Sequence, residues 1–243
     1  MKKIILFGSL ILCVLTSGMA QWKKMPGLGK DIGASANGSI WIIGSDKEDH
    51  GFGIYKWTGE DWTKVDGSAV AITVDNSGVP WVVNAEGEIY RRKQNAWQKM
   101  PGLAKDIAAG PNGSIWIVGA DKEEGGYGIY RWSGEDWKKI EGGGIRIAVD
   151  KAAKAWLVNE NGNIYKREQY SWEKLPGLGK DIAVGADGSV WIVGTDKVDG
   201  GYGIYKWTGE DWKKVEGGAV RIAVDKAGKP WVINAENNIY RKD

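Results

Sequence analysis

The sequence is poor in several residue types, and each scarcity removes an option. Its 243 residues include one Cys, one His, two Phe and six Pro. A lone Cys13 cannot close an internal disulfide, so no disulfide framework holds this chain. A lone His50 leaves a His-based metal or catalytic cluster without partners. Neither sign of charge is in excess: 33 basic residues meet 31 acidic ones, and two of the basic ones, Lys2 and Lys3, sit at the very start. The rest is formally neutral, without the basic excess that nucleic-acid binding needs. What is abundant is glycine (37) and tryptophan (15), with 42% hydrophobic residues. That balance excludes collagen, disordered tails and helical membrane bundles, and it points to short strands joined by tight turns.

The first twenty residues read as a cleavable signal peptide. Lys2 and Lys3 precede an apolar run from Ile4 to Leu15, and Gly18-Met19-Ala20 supplies the small residues of a cleavage site. The run is too short and wrongly flanked to span a membrane. Cys13 follows Leu12, where a lipoprotein signal would place a small residue. The expectation is an exported, non-membrane-spanning chain running from Gln21 to Asp243 as one domain.

Trp22, Trp62, Trp97, Trp137, Trp172 and Trp212 open similar stretches at intervals of 40, 35, 40, 35 and 40 residues. The underlying period is 75 residues, repeated three times, and each repeat contains two related halves. Periods of 35 to 40 residues mean solenoids or propellers. In the half from Lys180 to Gly217, Asp181–Val184, Ser189–Gly194, Gly203–Trp207 and Trp212–Val215 read as four short strands, with Asp187-Gly188 as a hairpin turn. No stretch has helical period. The expected fold is all-β: a six-bladed β-propeller with four-stranded antiparallel blades, made of three two-blade units. The last half ends after three strands, whereas Gln21-Trp22-Lys23-Lys24-Met25 matches a fourth strand standing alone at the other end. The mature N-terminal strand is therefore expected to complete the sixth blade and close the ring.

The even halves carry Trp81-Val82-Val83-Asn84 with Ile89-Tyr90-Arg91-Arg92, Trp156-Leu157-Val158-Asn159 with Ile164-Tyr165-Lys166-Arg167, and Trp231-Val232-Ile233-Asn234 with Ile239-Tyr240-Arg241-Lys242. With the Trp-x-x-Val/Met-Pro/Glu-Gly opening of most halves, these resemble tectonin repeats, of the six-bladed propeller lectins that include the tachylectin group. The resemblance implies binding of carbohydrate, often bacterial lipopolysaccharide or unusual glycans, without catalysis. The odd halves depart from it. Gly44, Gly119 and Gly194 replace the Asn, and each is followed by a longer hairpin similar to the Gly-Gly-aromatic repeats of bacterial sensors.

Those hairpins are the first candidate sites. Asp46, Lys47 and Phe52, then Asp121, Lys122 and Tyr127, then Asp196, Lys197 and Tyr202 put an acid, an amine and an aromatic ring on one loop. Charged groups pair with sugar hydroxyls while a ring covers the apolar side of a pyranose. A plainer role for the same loop is a solvated hairpin whose ring packs on the blade. The loop acids are too sparse for a calcium loop. Asn84, Asn159 and Asn234 form a second candidate set, either as ligand groups offering donor and acceptor together or as turn residues bonding their own backbone. Three sites of each class on one monomer would give avidity for a repetitive surface.

A third constellation opens strand one of successive halves: Asp31, Ala71, Asp106, Arg146, Asp181 and Arg221. It reads as ion pairs around a central channel, with Lys30, Lys105 and Lys180 adding positive charge at one mouth. Nearly every polar group is repeated, whereas catalysis gathers one dissimilar set of groups at one place, so no enzyme, cofactor or metal is expected. Asn37-Gly38-Ser39 and Asn112-Gly113-Ser114 match glycosylation acceptors but occupy hairpin turns. The expected function is a secreted multivalent lectin for cell-surface glycan or lipopolysaccharide. The alternative is a propeller scaffold docking a protein partner without sugar.

Overall fold

The computed structural model describes residues 22–243, so the expected signal peptide and Gln21 lie outside the described residues. These residues contain strands and turns but no helix. The first repeat supplies β1 (Trp22–Ala34), β2 (Ile40–Glu48), β3 (Gly51–Trp57), β4 (Trp62–Ala69), β5 (Ala71–Val74), β6 (Pro80–Val83) and β7 (Glu88–Lys93). The second supplies β8 (Ala96–Ala109), β9 (Ile115–Glu123), β10 (Gly126–Trp132), β11 (Trp137–Gly144), β12 (Arg146–Val149), β13 (Ala155–Val158) and β14 (Asn163–Glu168). In the third, the long opening strand divides into β15 (Ser171–Leu178) and β16 (Asp181–Val184). It continues with β17 (Val190–Val198), β18 (Gly201–Trp207), β19 (Trp212–Ala219), β20 (Arg221–Val224), β21 (Pro230–Ile233) and β22 (Asn238–Lys242).

All pairings are antiparallel. β12 to β15 form one four-stranded sheet and β16 to β19 another. The remaining strands join in two seven-stranded sheets because β1 and β8 each change neighbour part-way along. The front of β8 pairs with β7 and its rear with β9. The front of β1 pairs with β22, Trp22 opposite Lys242 and Lys24 opposite Tyr240, and its rear pairs with β2. The two ends of the described residues are thus zipped to each other, as the orphan Trp22 segment predicts. The inner strands also run round in a closed circle: β1 lies on β5, β5 on β8, β8 on β12, β12 on β16, β16 on β20, and β20 on β1.

Side-chain pattern explains the layering. Ile40, Trp41, Ile42 and Ile43 are all buried, as are Ile115 to Val118 and Val190 to Val193. A continuous apolar run of this kind belongs to a strand covered on both faces, here by the neighbouring sheets. Each core cluster spans two successive halves, so that Ile32, Ile40 and Ile42 pack with Trp231, Ile233 and Ile239. Trp57 and Trp62 close over that cluster, 4.9 Å apart, with Trp231 at 5.9 and 6.4 Å. The same tilted pairs recur at Trp132–Trp137 and Trp207–Trp212. Edge-to-face stacking of this kind adds stabilisation beyond the area buried.

The hairpin strands run further than the sequence suggests. β17 continues to Val198, past the expected end at Gly194, and β18 begins at Gly201, because Lys197 pairs with Tyr202 and Val198 with Gly201. β19 likewise runs past Val215 to Ala219, where it pairs with Tyr202. The extra residues therefore build ladder rather than loop.

Candidate functional site

The long hairpins hold their acids in fixed networks. Asp46 Oδ2 accepts the Tyr55 hydroxyl at 3.0 Å and the Lys64 ammonium at 2.8 Å. Asp121 is bound by Tyr130 at 2.9 Å and Lys139 at 3.1 Å, and Asp196 by Lys214 at 2.7 Å. Partial burial pushes the Asp46 carboxyl up, but the hydrogen bonds from Lys64 and Tyr55 outweigh it and hold the group below its ordinary range. Asp121 and Asp196 are lowered in the same way. These Tyr and Lys partners recur nine and eighteen residues after the acid in each repeat, a spacing visible in the sequence but invisible as a contact until β3 and β4 are laid beside β2.

The hairpin rings turn inward. Phe52, Tyr127 and Tyr202 are half-buried against core clusters of their own and the following half. Lysines cover their other faces. Lys30 lies 5.6 Å from the Phe52 ring, Lys105 5.7 Å from Tyr127 and Lys180 4.6 Å from Tyr202. Lys122 also lies over Tyr127, at 4.5 Å, and reaches Glu160 at 3.5 Å. Lys30, Lys105 and Lys180 thus take cation–π positions on the hairpin rings. Lys47 and Lys197 sit at the ladder positions opposite Phe52 and Tyr202.

The second candidate set meets the hairpins. The tip carbonyls of His50, Gly125 and Gly200 accept the backbone N–H of Ala85, Glu160 and Ala235 at 2.8 to 2.9 Å. Those amides immediately follow Asn84, Asn159 and Asn234. Each hairpin is thereby tied across to the next half, and a cleft forms beneath the tie. Its walls are an Asn, a Tyr from the next strand, and a Trp: Asn84, Tyr90 and Trp97 in the first; Asn159, Tyr165 and Trp172 in the second; Asn234, Tyr240 and Trp22 in the third. Gly67, Gly142 and Gly217 line the clefts beside these Trp rings. A Cβ on Gly142 would lie 2.9 Å from the indole nitrogen of Trp172, so glycine is what lets the ring seat there. The indole N–H groups of Trp97, Trp172 and Trp22 donate to the carbonyls of Asp66, Glu141 and Glu216 at 2.6 to 2.7 Å, which fixes the rings.

A Tectonin domain model matches residues 12–95, 76–152 and 144–243, three stretches that together take in the whole described structure. The chain belongs to the tectonin family. A curated relative, Tectonin-1 of Physarum polycephalum, is 36% identical over 74 residues, which is 30% of this chain and 32% of that protein, so the match spans about a third of the relative's length. Among solved structures, one described as YCF48 bound to D1 peptide superimposes with a TM-score of 0.57 at 17% identity, covering 91% of this chain and 78% of that one. Another, described as a streptogramin B lyase structure, gives 0.59 at 14% identity over 92% and 96% of the two chains. These identities speak for a shared propeller-like fold and for nothing finer.

In this tectonin chain the sequence-derived residues thus fall into different settings. The Asn set meets the hairpin tips across the boundary between halves, Asn84 beside His50 and Asn159 beside Gly125, whereas the candidate acid, Lys and aromatic residues of the hairpins do not line those clefts. Within each hairpin, the acid turns to Tyr and Lys while the aromatic ring packs on the blade. Residue-by-residue reading did not single out the cleft Trp rings as site residues, nor Glu88, the one acid where the other repeats have Asn163 and Asn238. It missed also Leu28, Leu103 and Leu178, which stand 45 to 49% exposed at equivalent places. Their 75-residue recurrence was the available signal.

Proposed function

We propose that the mature chain is a secreted, multivalent carbohydrate-binding protein, built as a ring of six four-stranded blades from which residues 1–20 have been removed. The reading rests on one observation above others: every repeat carries a cleft of Asn, Tyr and Trp beneath a tethered hairpin. An amide and a phenol supply directional hydrogen bonds, and an aromatic wall accepts the C–H side of a pyranose. Family membership supports this, since tectonin-type resemblance implies glycan or lipopolysaccharide as ligand. Repetition of the cleft on one rigid monomer raises avidity for a repetitive surface without any new contact. Most polar groups recur threefold, and the lone His50 is occupied by Glu86 at 3.3 Å, so the reading is non-enzymatic.

A second reading is favoured by the exposed Leu28, Leu103 and Leu178 and by a fold neighbour described as bound to a peptide: a scaffold docking a protein partner. A glycan and lipopolysaccharide array probed with residues 21–243 separates the two. Binding to any glycan supports the lectin, and silence across the array at high protein concentration would sink it.

A further inference from the structure

The three clefts share a plan but not a hydrogen-bonding state. In each, the Asn Oδ1 accepts backbone N–H groups of its own turn. Asn84 takes Glu88 at 2.8 Å, Asn159 takes Asn163 at 2.8 Å and Asn161 at 3.1 Å, and Asn234 takes Asn238 at 2.8 Å and Glu236 at 3.2 Å. These donors fix which end of the amide is oxygen, so Nδ2 must face the cleft.

In the first cleft that nitrogen is already engaged. Asn84 Nδ2 donates to Glu88 Oε2 at 3.0 Å, and the Tyr90 hydroxyl donates to the same oxygen at 2.8 Å. Lys99 closes on the other oxygen, and with Tyr90 and Asn84 it holds the Glu88 carboxyl down at about 2. His50 crowns this cleft. The other two differ at both points. Asn163 and Asn238 stand in place of Glu88, and Gly125 and Gly200 in place of His50. Asn159 and Asn234 are only 7 and 8% exposed, yet among the described residues their Nδ2 atoms have no partner, and neither do the hydroxyls of Tyr165 and Tyr240. The nitrogens look out beneath the glycines, where a Cβ would lie 3.6 and 3.7 Å away. Cleft volumes follow the same order, about 160 Å³ at His50 against 210 and 540 Å³.

We infer that the clefts under Gly125 and Gly200 are two open sites for a neutral, oxygen-rich ligand that seats acceptor oxygens on the Asn amide and the Tyr hydroxyl, while the first cleft is closed from within by Glu88. The inference rests on the carbohydrate reading and narrows it. The free groups aimed inward are neutral donors, and the linings carry Glu124 and Asp199, which repel phosphate and carboxylate but accept hydroxyl protons. A neutral pyranose has this pattern of hydroxyl oxygens and an apolar C–H face for the Trp or Tyr wall. In these two clefts the Asn nitrogen and the Tyr hydroxyl face solvent and are available to a ligand oxygen, whereas in the first both already donate to Glu88.

The test is a titration of ¹⁵N-labelled residues 21–243 with neutral methyl pyranosides (methyl α-D-mannopyranoside, β-D-galactopyranoside and β-D-glucopyranoside), following the Asn side-chain amides and Trp indoles. At least one probe should shift Asn159, Asn234, Trp172 and Trp22 and leave Asn84 and Trp97 unmoved. Glu88→Asn combined with His50→Gly should bring Asn84 into the response, raising the sites from two to three. Asn159→Asp with Asn234→Asp keeps the turn acceptor, removes the donor, and should weaken array binding at least tenfold. An equal response at Asn84 in the unaltered protein, or none at Asn159 and Asn234 with any probe, overturns the inference. Array binding that survives the double Asp variant also overturns it while leaving the lectin reading intact. An unaltered protein that binds nothing on the array removes both.

Discussion

Asp31 Oδ2 accepts the backbone N–H of Ile72 at 2.8 Å, so a carboxylate on β1 anchors the head of β5 across the boundary between two halves. Asp106 holds Ile147 and Asp181 holds Ile222 in the same way, each at 2.9 Å. The residues just before these amides are Ala71, Arg146 and Arg221. Arg146 lies 3.6 Å from Asp106 and 3.5 Å from Asp181, and Arg221 lies 3.4 Å from Asp31. Ala71, between Asp31 and Asp106, supplies no charge. Burial pushes Asp31 up to about 6 and Asp106 up to about 7, against the pull of the arginines, with the neighbouring carboxylates pushing the same way.

A pH dependence follows with a definite sign. Both groups bind a proton more readily in the folded chain than in the unfolded one, where the carboxyl sits near 3.8. Their contribution to stability is full below about pH 4 and is lost as pH rises through about 6 and 7. Urea unfolding across that window should show a fall of several kcal/mol from these two groups, with about 7 kcal/mol as the upper bound set by the two shifts together. Asp31→Asn with Asp106→Asn should flatten it, and an unchanged slope in the double variant would contradict the assignment.

Ala71→Arg puts a guanidinium at the third equivalent position. It should lower both carboxyl pKa values, remove the decline toward neutral pH, and stabilise at pH 7 by on the order of 1 kcal/mol. For a domain of this size that is roughly 2–4 °C in Tm by scanning calorimetry.

Backbone geometry at the hairpins gives a sharper contrast. Gly126 has φ +147°, and a Cβ there would lie 2.4 Å from the Gly144 carbonyl oxygen. Gly134 also has positive φ, +104°, but nothing stands within 4 Å. Gly134→Ala should cost about 1 kcal/mol for its backbone alone. Gly126→Ala should cost at least twice that, on the order of 2–3 kcal/mol, because the strand must also shift. Equal losses in chemical denaturation would mean that the close approach is not there.

Tyr127→Ala separates the hairpin ring from the cleft. The ring packs on the core cluster containing Ile147 and Leu157 and carries two lysines, so removing it should cost about 2 kcal/mol of stability. It does not line the Asn159 cleft, and glycan affinity should hold within about twofold, or 0.4 kcal/mol. Lost affinity at unchanged stability would make the hairpin face the ligand surface.

How much of this was legible in the sequence depends on range. The Trp intervals, the Asp187-Gly188 turn and the orphan Trp22 strand are local or strictly periodic, and the strands, their order and the β1–β22 pairing follow from them. The ring of Asp31, Asp106, Asp181, Arg146 and Arg221 was readable too, because alignment of the halves puts those residues at one register. Contacts between halves were not. Lys30 swings to Phe52, and His50 arrives beside Asn84, only because the hairpin ladder extends past Gly44 and leans across the boundary. Glu88 drew no notice because it is a single departure from a repeat, yet it is what makes one cleft unlike the other two.

Multivalent glycan binding by a single chain is the central claim, and agglutination tests it directly. Beads coated with whole lipopolysaccharide, or with the glycan that binds best on the array, are mixed with monomeric residues 21–243. The account predicts cross-linking that excess soluble glycan reverses. Protein that coats single beads to saturation yet never joins two of them would contradict it.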